Sequence, residues 1–234
     1  MIFCKSRKFI FLRVPKTAST SLSLQIQKNL NFQPGDFSTK FTKIPPIGFE
    51  FFNVNHEFKI DEHPTINQPL RLSIITDEEL ESYSIYGVLR EPVERFFSLF
   101  CHMIDVHRKT LGLQVENMTK EQIALFAFEC LETAKKQKTN HYLYSVKPNG
   151  GSFPMRPQSD WLIYNNKPIN NIIVYPNFDE FLTKLNGSPE FQFKEKIGKK
   201  PIDSGSPVSK SILEGIKYWY AKDFDLWEKL GYNK

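Results

Sequence analysis

Apolar positions along this chain fall into short unbroken runs and into stripes of helical period, and the two kinds alternate. The run "KFIFLRVP" (8–15) joins β-branched and aromatic residues and stops at a proline, which predicts a buried strand. Just beyond it Leu22, Ile26 and Leu30 recur every four residues and predict one face of a helix. The same sequence of events returns at "SIYGVLR" (84–90), a second buried strand, followed by "EPVERFFSLFCHMID". There Pro92 suits a first helical turn, and Val93, Phe96, Phe97, Phe100 and Ile104 form the apolar stripe. A third run, "NNIIVYP" (170–176), precedes "NFDEFLTKL", a helix expected to be capped at Asn177. Strands without polar alternation, each leading into a helix, predict an α/β fold with a central, mainly parallel β-sheet flanked by helices.

The remaining pattern adds further elements. "FEFFNVNHEFKI" (49–60) reads as a strand whose one face carries Phe52, Val54, His56, Phe58 and Ile60. "TDEELESY" (76–83) and "TKEQIALFAFECLETAKK" (119–136) read as helices opened by capping boxes, Thr76 with Glu79 and Thr119 with Gln122. "KSILEGIKYWYAKDFDLWEKL" reads as one last helix, and residues 31–48, 61–72, 147–157 and 194–209 as loops. No repeat and no separating linker is present, so a single domain over residues 1–234 is expected.

Composition narrows the function classes. The 31 Lys and Arg against 26 Asp and Glu give a net charge of +5, which suits an anionic ligand. The cations are scattered rather than striped with aromatics, which speaks against a nucleic-acid interface. Three cysteines at wide spacing make neither a disulfide framework nor a zinc site, and the five histidines form no H-x-x-x-H, so no metal is expected. Lys5, Arg7, Lys8 and Arg13 interrupt the N-terminal apolar residues, leaving no signal-peptide core, and "IALFAFECL" is too short to span a bilayer. The expectation is a cytoplasmic protein with no transmembrane segment.

Candidate chemistry sits at the two strand-to-helix turns. "RVPKTASTS" (13–21) places Lys16 before Thr17, Ala18, Ser19, Thr20 and Ser21, with no glycine. The N–H groups of the following helix start favour an anion there. The second turn offers Arg90, and Ser98 eight residues on. Taken singly, Lys16 reads as a solvated loop lysine, and Arg90 as a partner of Glu94 worth ~0.3–0.5 kcal/mol. Taken together, two cations at equivalent strand ends point to a ligand with phosphates at two separated places.

"FLRVPKTASTSL" followed by "YGVLREPVERFFSLF" resembles the sulfotransferases that use 3′-phosphoadenosine 5′-phosphosulfate, in particular the carbohydrate branch that includes heparan sulfate 2-O-sulfotransferases. That family's signatures are a strand ending in P-K-T-[AG]-[GST]-T-S, its phosphosulfate loop, and R-[DE]-P-x-x-R-x-x-S, whose first arginine and final serine hold the 3′-phosphate. "RPQSDWL" (156–162) and "YAKDFDLWEKLGY" are weaker likenesses. The resemblance implies a P-loop-like domain in which Lys16, Thr17, Ala18, Ser19, Thr20 and Ser21 wrap the 5′-phosphosulfate while Arg90 and Ser98 take the 3′-phosphate. The hydroxyls would act as donors to the ligand, and Lys16 would neutralise charge on the leaving oxygen.

Sulfuryl transfer to a hydroxyl also needs a base. The resemblance implies a histidine or glutamate after the second strand, where His56 is the best positional match, with His63 and then Glu57 behind it. On its own His56 reads as a core histidine, sharing a face with Val54 and Phe58, and it is the resemblance that puts it forward as the base. Arg156, Gln158 and Trp161 are expected to line the cofactor or acceptor, Trp161 being equally a core anchor, and the loop at 194–209, with Lys199, Lys200 and Ser206, to close over the cofactor. The implied acceptor is a hydroxyl compound, and the branch resembled points to a carbohydrate. The competing readings are a P-loop small-molecule kinase, disfavoured because the lysine precedes the hydroxyls, and a catalytically inactive nucleotide-binding relative.

Overall fold

The computed structural model describes residues 1–29, 37–38, 63, 65–71, 73–112, 114–136, 144–145, 153–186 and 208–232. Its strands are β1 (Ile2–Cys4), β2 (Phe9–Leu12), β3 (Phe37–Ser38), β4 (Ser84–Leu89), β5 (Tyr144–Ser145), β6 (Phe153–Pro154), β7 (Ile163–Tyr164), β8 (Lys167–Pro168) and β9 (Asn171–Val174). Its helices are α1 (Ser19–Asn29), α2 (Asn67–Arg71), α3 (Asp77–Ser82), α4 (Pro92–Leu111), α5 (Lys120–Lys136), α6 (Ser159–Leu162), α7 (Asp179–Asn186), α8 (Lys210–Trp219) and α9 (Ala221–Lys229). The chain divides into two compact units, each assembled from two separated segments: Met1–Leu89 with Asp160–Ile197, and Arg90–Ser159 with Gly198–Lys234.

The first unit holds the sheet, in the order β3-β1-β2-β4-β9. β4 pairs in parallel with β2 and with β9, so the expected parallel core is present, and β1 adds an antiparallel flank against β2 and β3. β2 is shorter than the run 8–15: it ends at Leu12, where the Val14 N–H turns back to the Leu12 carbonyl at 3.1 Å. The turn between β1 and β2 closes through Lys8, at φ 51°, whose N–H donates to the Lys5 carbonyl at 3.2 Å.

Both faces of this sheet are covered, which is why its strands show no polar alternation. On one face Phe9, Phe11, Val88 and Ile173 pack with Leu22 and Ile26 of α1 and with Phe178, Phe181 and Leu182 at α7. Leu30, expected on the same helix face, lies outside the described residues. On the other face Leu162 and Ile169 close on Gly87 so tightly that a side chain there would collide with the Leu162 methyl. The helix after β9 starts at Asp179, not beside the expected cap Asn177: the Phe178 carbonyl accepts the first helical bond from Leu182 at 2.9 Å, and burial of the Phe178 ring sets that start. α2 replaces part of the loop expected at 61–72, with Pro69 tolerated in its first turn.

The second unit is helical. Phe96, Phe100 and Ile104 of α4 pack with Ile123, Ala127 and Leu131 of α5 and with Ile212 and Ile216 of α8, as the stripe on α4 predicts. The capping boxes at Thr76 in the first unit and Thr119 in the second are both formed, each with reciprocal bonds of 2.8–3.2 Å. The expected single last helix is two, α8 and α9, broken at Tyr220 (φ −122°, ψ 28°). The break lies where Tyr220 is drawn inward: its ring is 6.0 Å from that of Phe96 and its hydroxyl donates to the Met155 carbonyl at 2.9 Å. β6, paired with β5 just ahead of it, occupies part of the loop expected at 147–157. The strand expected at 49–60 and the loops at 31–48 and 194–209 lie outside the described residues, apart from β3 and residues 208–209. Among the described residues no helix is long and apolar enough to cross a membrane.

Candidate functional site

The first turn belongs to the sheet unit and runs from the end of β2 into α1. Lys16 and Ala18 both adopt left-handed backbone, φ 65° and φ 62°, on either side of Thr17. Alternation of this kind turns successive N–H groups toward one side and makes a concavity suited to an anion. It lies at the start of α1, where the first N–H groups have no intrahelical partner. For residues other than glycine each left-handed position costs ~1–2 kcal/mol.

What holds the strained turn is the hydroxyl set. The Thr17 hydroxyl donates to the Val14 carbonyl at 2.9 Å and the Ser19 hydroxyl donates to the same oxygen at 2.6 Å. Thr17 is fully buried and Ser19 nearly so, so these two hydroxyl protons brace the loop itself, where the sequence suggested donors to a ligand. Ser21 is buried as well, while exposed Thr20 accepts from Nη2 of buried Arg13 at 3.1 Å. Lys16 is half-buried. The loop's glycine-free composition therefore has a physical basis: internal hydroxyl bonds replace the conformational ease of glycine.

His63 lies in the same unit and is tied to the same turn. Its Nδ1 is 2.7 Å from the Arg13 carbonyl oxygen. A carbonyl only accepts, so Nδ1 carries the hydrogen, and the neutral ring keeps its basic lone pair on Nε2. The backbone of His63 is held as well, because the Trp161 indole N–H donates to its carbonyl at 3.1 Å. Trp161 is only 1% exposed, so it serves this contact and the core in place of the ligand stacking expected for it. His56 and its neighbour Glu57 lie outside the described residues.

The second turn belongs to the helical unit. Arg90 follows β4 in the chain, and Glu91 caps α4 by accepting from the Glu94 N–H. The Arg90 side chain is largely buried, and its Nε meets Glu94 at 3.4 Å, one of the five N–H groups of the guanidinium. Ser98 is half-buried about two turns along α4. Gln158, expected to touch the ligand, is fully buried and addresses the Arg90 main chain: Oε1 accepts from the Arg90 N–H at 2.9 Å and Nε2 donates to the Arg90 carbonyl at 2.8 Å. Arg156 is half-buried nearby in sequence.

Two buried charges here escaped the sequence reading. The Asp223 carboxylate accepts from the Gln158 and Ser159 N–H groups, both at 2.8 Å, and is fully buried. Burial raises its carboxyl above the ordinary value, while the charge of Arg95 and the two N–H bonds pull the other way. Arg95, also buried, lies 5.7 Å from the centre of the Tyr220 ring, and burial pushes the Tyr220 hydroxyl far up. The available signals were an aspartate on the buried stripe of α9, ahead of Leu226 and Trp227, and the second arginine of the R-[DE]-P-x-x-R signature.

Among the described residues no cluster of His, Cys, Asp and Glu could hold a metal ion. No curated protein and no solved structure matches the chain. The model of the Sulfotransferase family matches residues 1–195, a span holding both turns, His63 and Gln158, and the chain belongs to that family.

Proposed function

We propose that the protein moves a sulfuryl group from 3′-phosphoadenosine 5′-phosphosulfate to a hydroxyl of a carbohydrate acceptor, as a cytoplasmic enzyme acting as one sulfotransferase domain over residues 1–234. The observation that carries this reading is the left-handed turn at Lys16 and Ala18, with His63 docked through Nδ1 on the carbonyl of Arg13 at its entrance. Such a turn suits a phosphate, and an imidazole that donates from Nδ1 carries its lone pair on Nε2, the atom a base would use.

In this reading the N–H groups of residues 16–21 and the Lys16 ammonium bind the 5′-phosphosulfate, and Arg90 and Ser98 bind the 3′-phosphate. His63 Nε2 takes the acceptor's hydroxyl proton as the acceptor oxygen bonds to sulfur. The bond between sulfur and the 5′-phosphate oxygen breaks at the same time, leaving adenosine 3′,5′-bisphosphate. Lys16 stabilises the charge left on that oxygen, an interaction that grows in the transition state. Arg156 is assigned to the acceptor side. Gln158 and Trp161 act on the protein's own backbone, at Arg90 and His63 respectively.

The test is sulfate transfer to a panel of sugars, followed by mass spectrometry, in wild type and three variants. His63→Ala is expected to bind adenosine 3′,5′-bisphosphate normally and to lose roughly 10²–10⁴ in turnover, together with the ascending limb of kcat/KM near neutral pH. Lys16→Ala is expected to damage binding and turnover together. His56→Ala should keep activity; the reverse result for the two histidines moves the base to His56. Phosphate transfer from ATP with no affinity for the bisphosphate would establish the kinase reading, and tight bisphosphate binding without turnover on any acceptor the inactive one.

A further inference from the structure

We propose that Gln158, held by Asp223, is a positioning residue that sets the aim of Arg90 and thereby the protein's discrimination for a 3′-phosphate. The inference rests on the reading of Arg90 as the 3′-phosphate ligand. Arg90 is the first residue beyond β4, so its N–H and carbonyl have left the ladder. The Gln158 amide supplies both missing partners at once, as a neighbouring strand would, at 2.9 and 2.8 Å. A primary amide is the side-chain group that offers an acceptor and a donor side by side for this purpose.

The amide is itself fixed from behind. Its own residue and Ser159 give consecutive N–H groups to the two carboxylate oxygens of Asp223. Gln158, Ser159 and Asp223 are all buried, 2% exposed or less, and Arg95 supplies the compensating charge for the carboxylate. Charge-assisted bonds of this length in a buried setting are strong and directional. The path from Asp223 through Gln158 to the main chain of Arg90 therefore consists of short hydrogen bonds, buried at Asp223 and part-buried at Arg90. A main chain held on both polar groups leaves the Arg90 side chain only its own rotamers to search, and lower search entropy means tighter, more selective phosphate binding.

The experiment titrates the full chain by calorimetry with adenosine 3′,5′-bisphosphate and with adenosine 5′-monophosphate, which lacks the 3′-phosphate. The readout is the ratio of the two dissociation constants in wild type, Arg90→Ala, Gln158→Met and Gln158→Asn. Gln158→Met has similar volume and neither hydrogen bond; Gln158→Asn keeps the amide one methylene short of Arg90 and covers the case in which the methionine variant does not fold. In both, the preference for the 3′-phosphate is expected to fall about tenfold or more, with monophosphate binding within about twofold of wild type. A merely structural role predicts parallel loss for both ligands, and that result overturns the inference. So does a preference lost in Arg90→Ala but kept in both Gln158 variants, which leaves the donor reading intact. A wild type with no preference for the 3′-phosphate overturns the donor reading and the inference together.

Discussion

Ala18 states the cost of the phosphate turn at the scale of one residue. At φ 62° it carries the left-handed penalty of ~1–2 kcal/mol, where glycine would carry none. Glycine would in turn lose ~0.5–1 kcal/mol to the entropy of the unfolded chain and give up a methyl that packs against the sheet core. Ala18→Gly is therefore expected to lie between unchanged and about 1 kcal/mol more stable by urea denaturation. Ala18→Val, β-branched at the same φ, should lose more than about 2 kcal/mol. If glycine costs more than valine, the left-handed turn is absent in solution. At this scale the sequence was legible where chemistry is local. Lys16 and Arg90 stand inside signatures whose spacing shows, whereas the partners of Gln158 lie 68 residues before it and 65 after it, and no local pattern reports such contacts.

At the scale of elements, buried runs and capping boxes were readable because each is decided by neighbours in sequence. The β1–β2 hairpin was not, since its turn "KSRK" has neither glycine nor proline and is closed by a left-handed lysine. Nor was the break between α8 and α9, which no helix breaker marks and which the tertiary contacts of Tyr220 impose. Gly87 shows the opposite case, a residue in a strand whose meaning is packing. An added methyl would run into the Leu162 methyl and come within 3.0 Å of Ile169 Cδ1. Leu162 is fully buried and has little room to move, so Gly87→Ala should cost about 1–3 kcal/mol. Leu162→Ala alone should cost about 2–5 kcal/mol through the cavity it leaves. In the double variant the new methyl enters that cavity, and the loss should fall short of the sum by at least about 0.5 kcal/mol. Strict additivity of the two losses would mean that Leu162 does not cover Gly87.

For the whole molecule, the cysteines decide whether any covalent link constrains the chain. All three, Cys4, Cys101 and Cys130, are free, so no disulfide constrains the chain, and its melting temperature should be the same with and without a thiol reductant. Their reactivity is a separate matter from their bonding. Burial, aided by the charge of Glu129, pushes the Cys130 thiol up to about 11. The thiolate is the nucleophile, and an ordinary cysteine thiol titrates near 8.5. At pH 7.5 the native Cys130 therefore holds roughly two orders of magnitude less thiolate than the same residue in the unfolded chain. Alkylation by iodoacetamide, followed by peptide mass spectrometry, should show that ratio between native protein and protein in urea. The native rate should climb about tenfold per pH unit through the range where the unfolded rate has levelled off, because only the native thiol is still titrating there. Equal rates in the two states at pH 7.5 would mean that α5 does not hold Cys130 against its neighbours in solution, and the packing of α4, α5 and α8 would need to be redrawn.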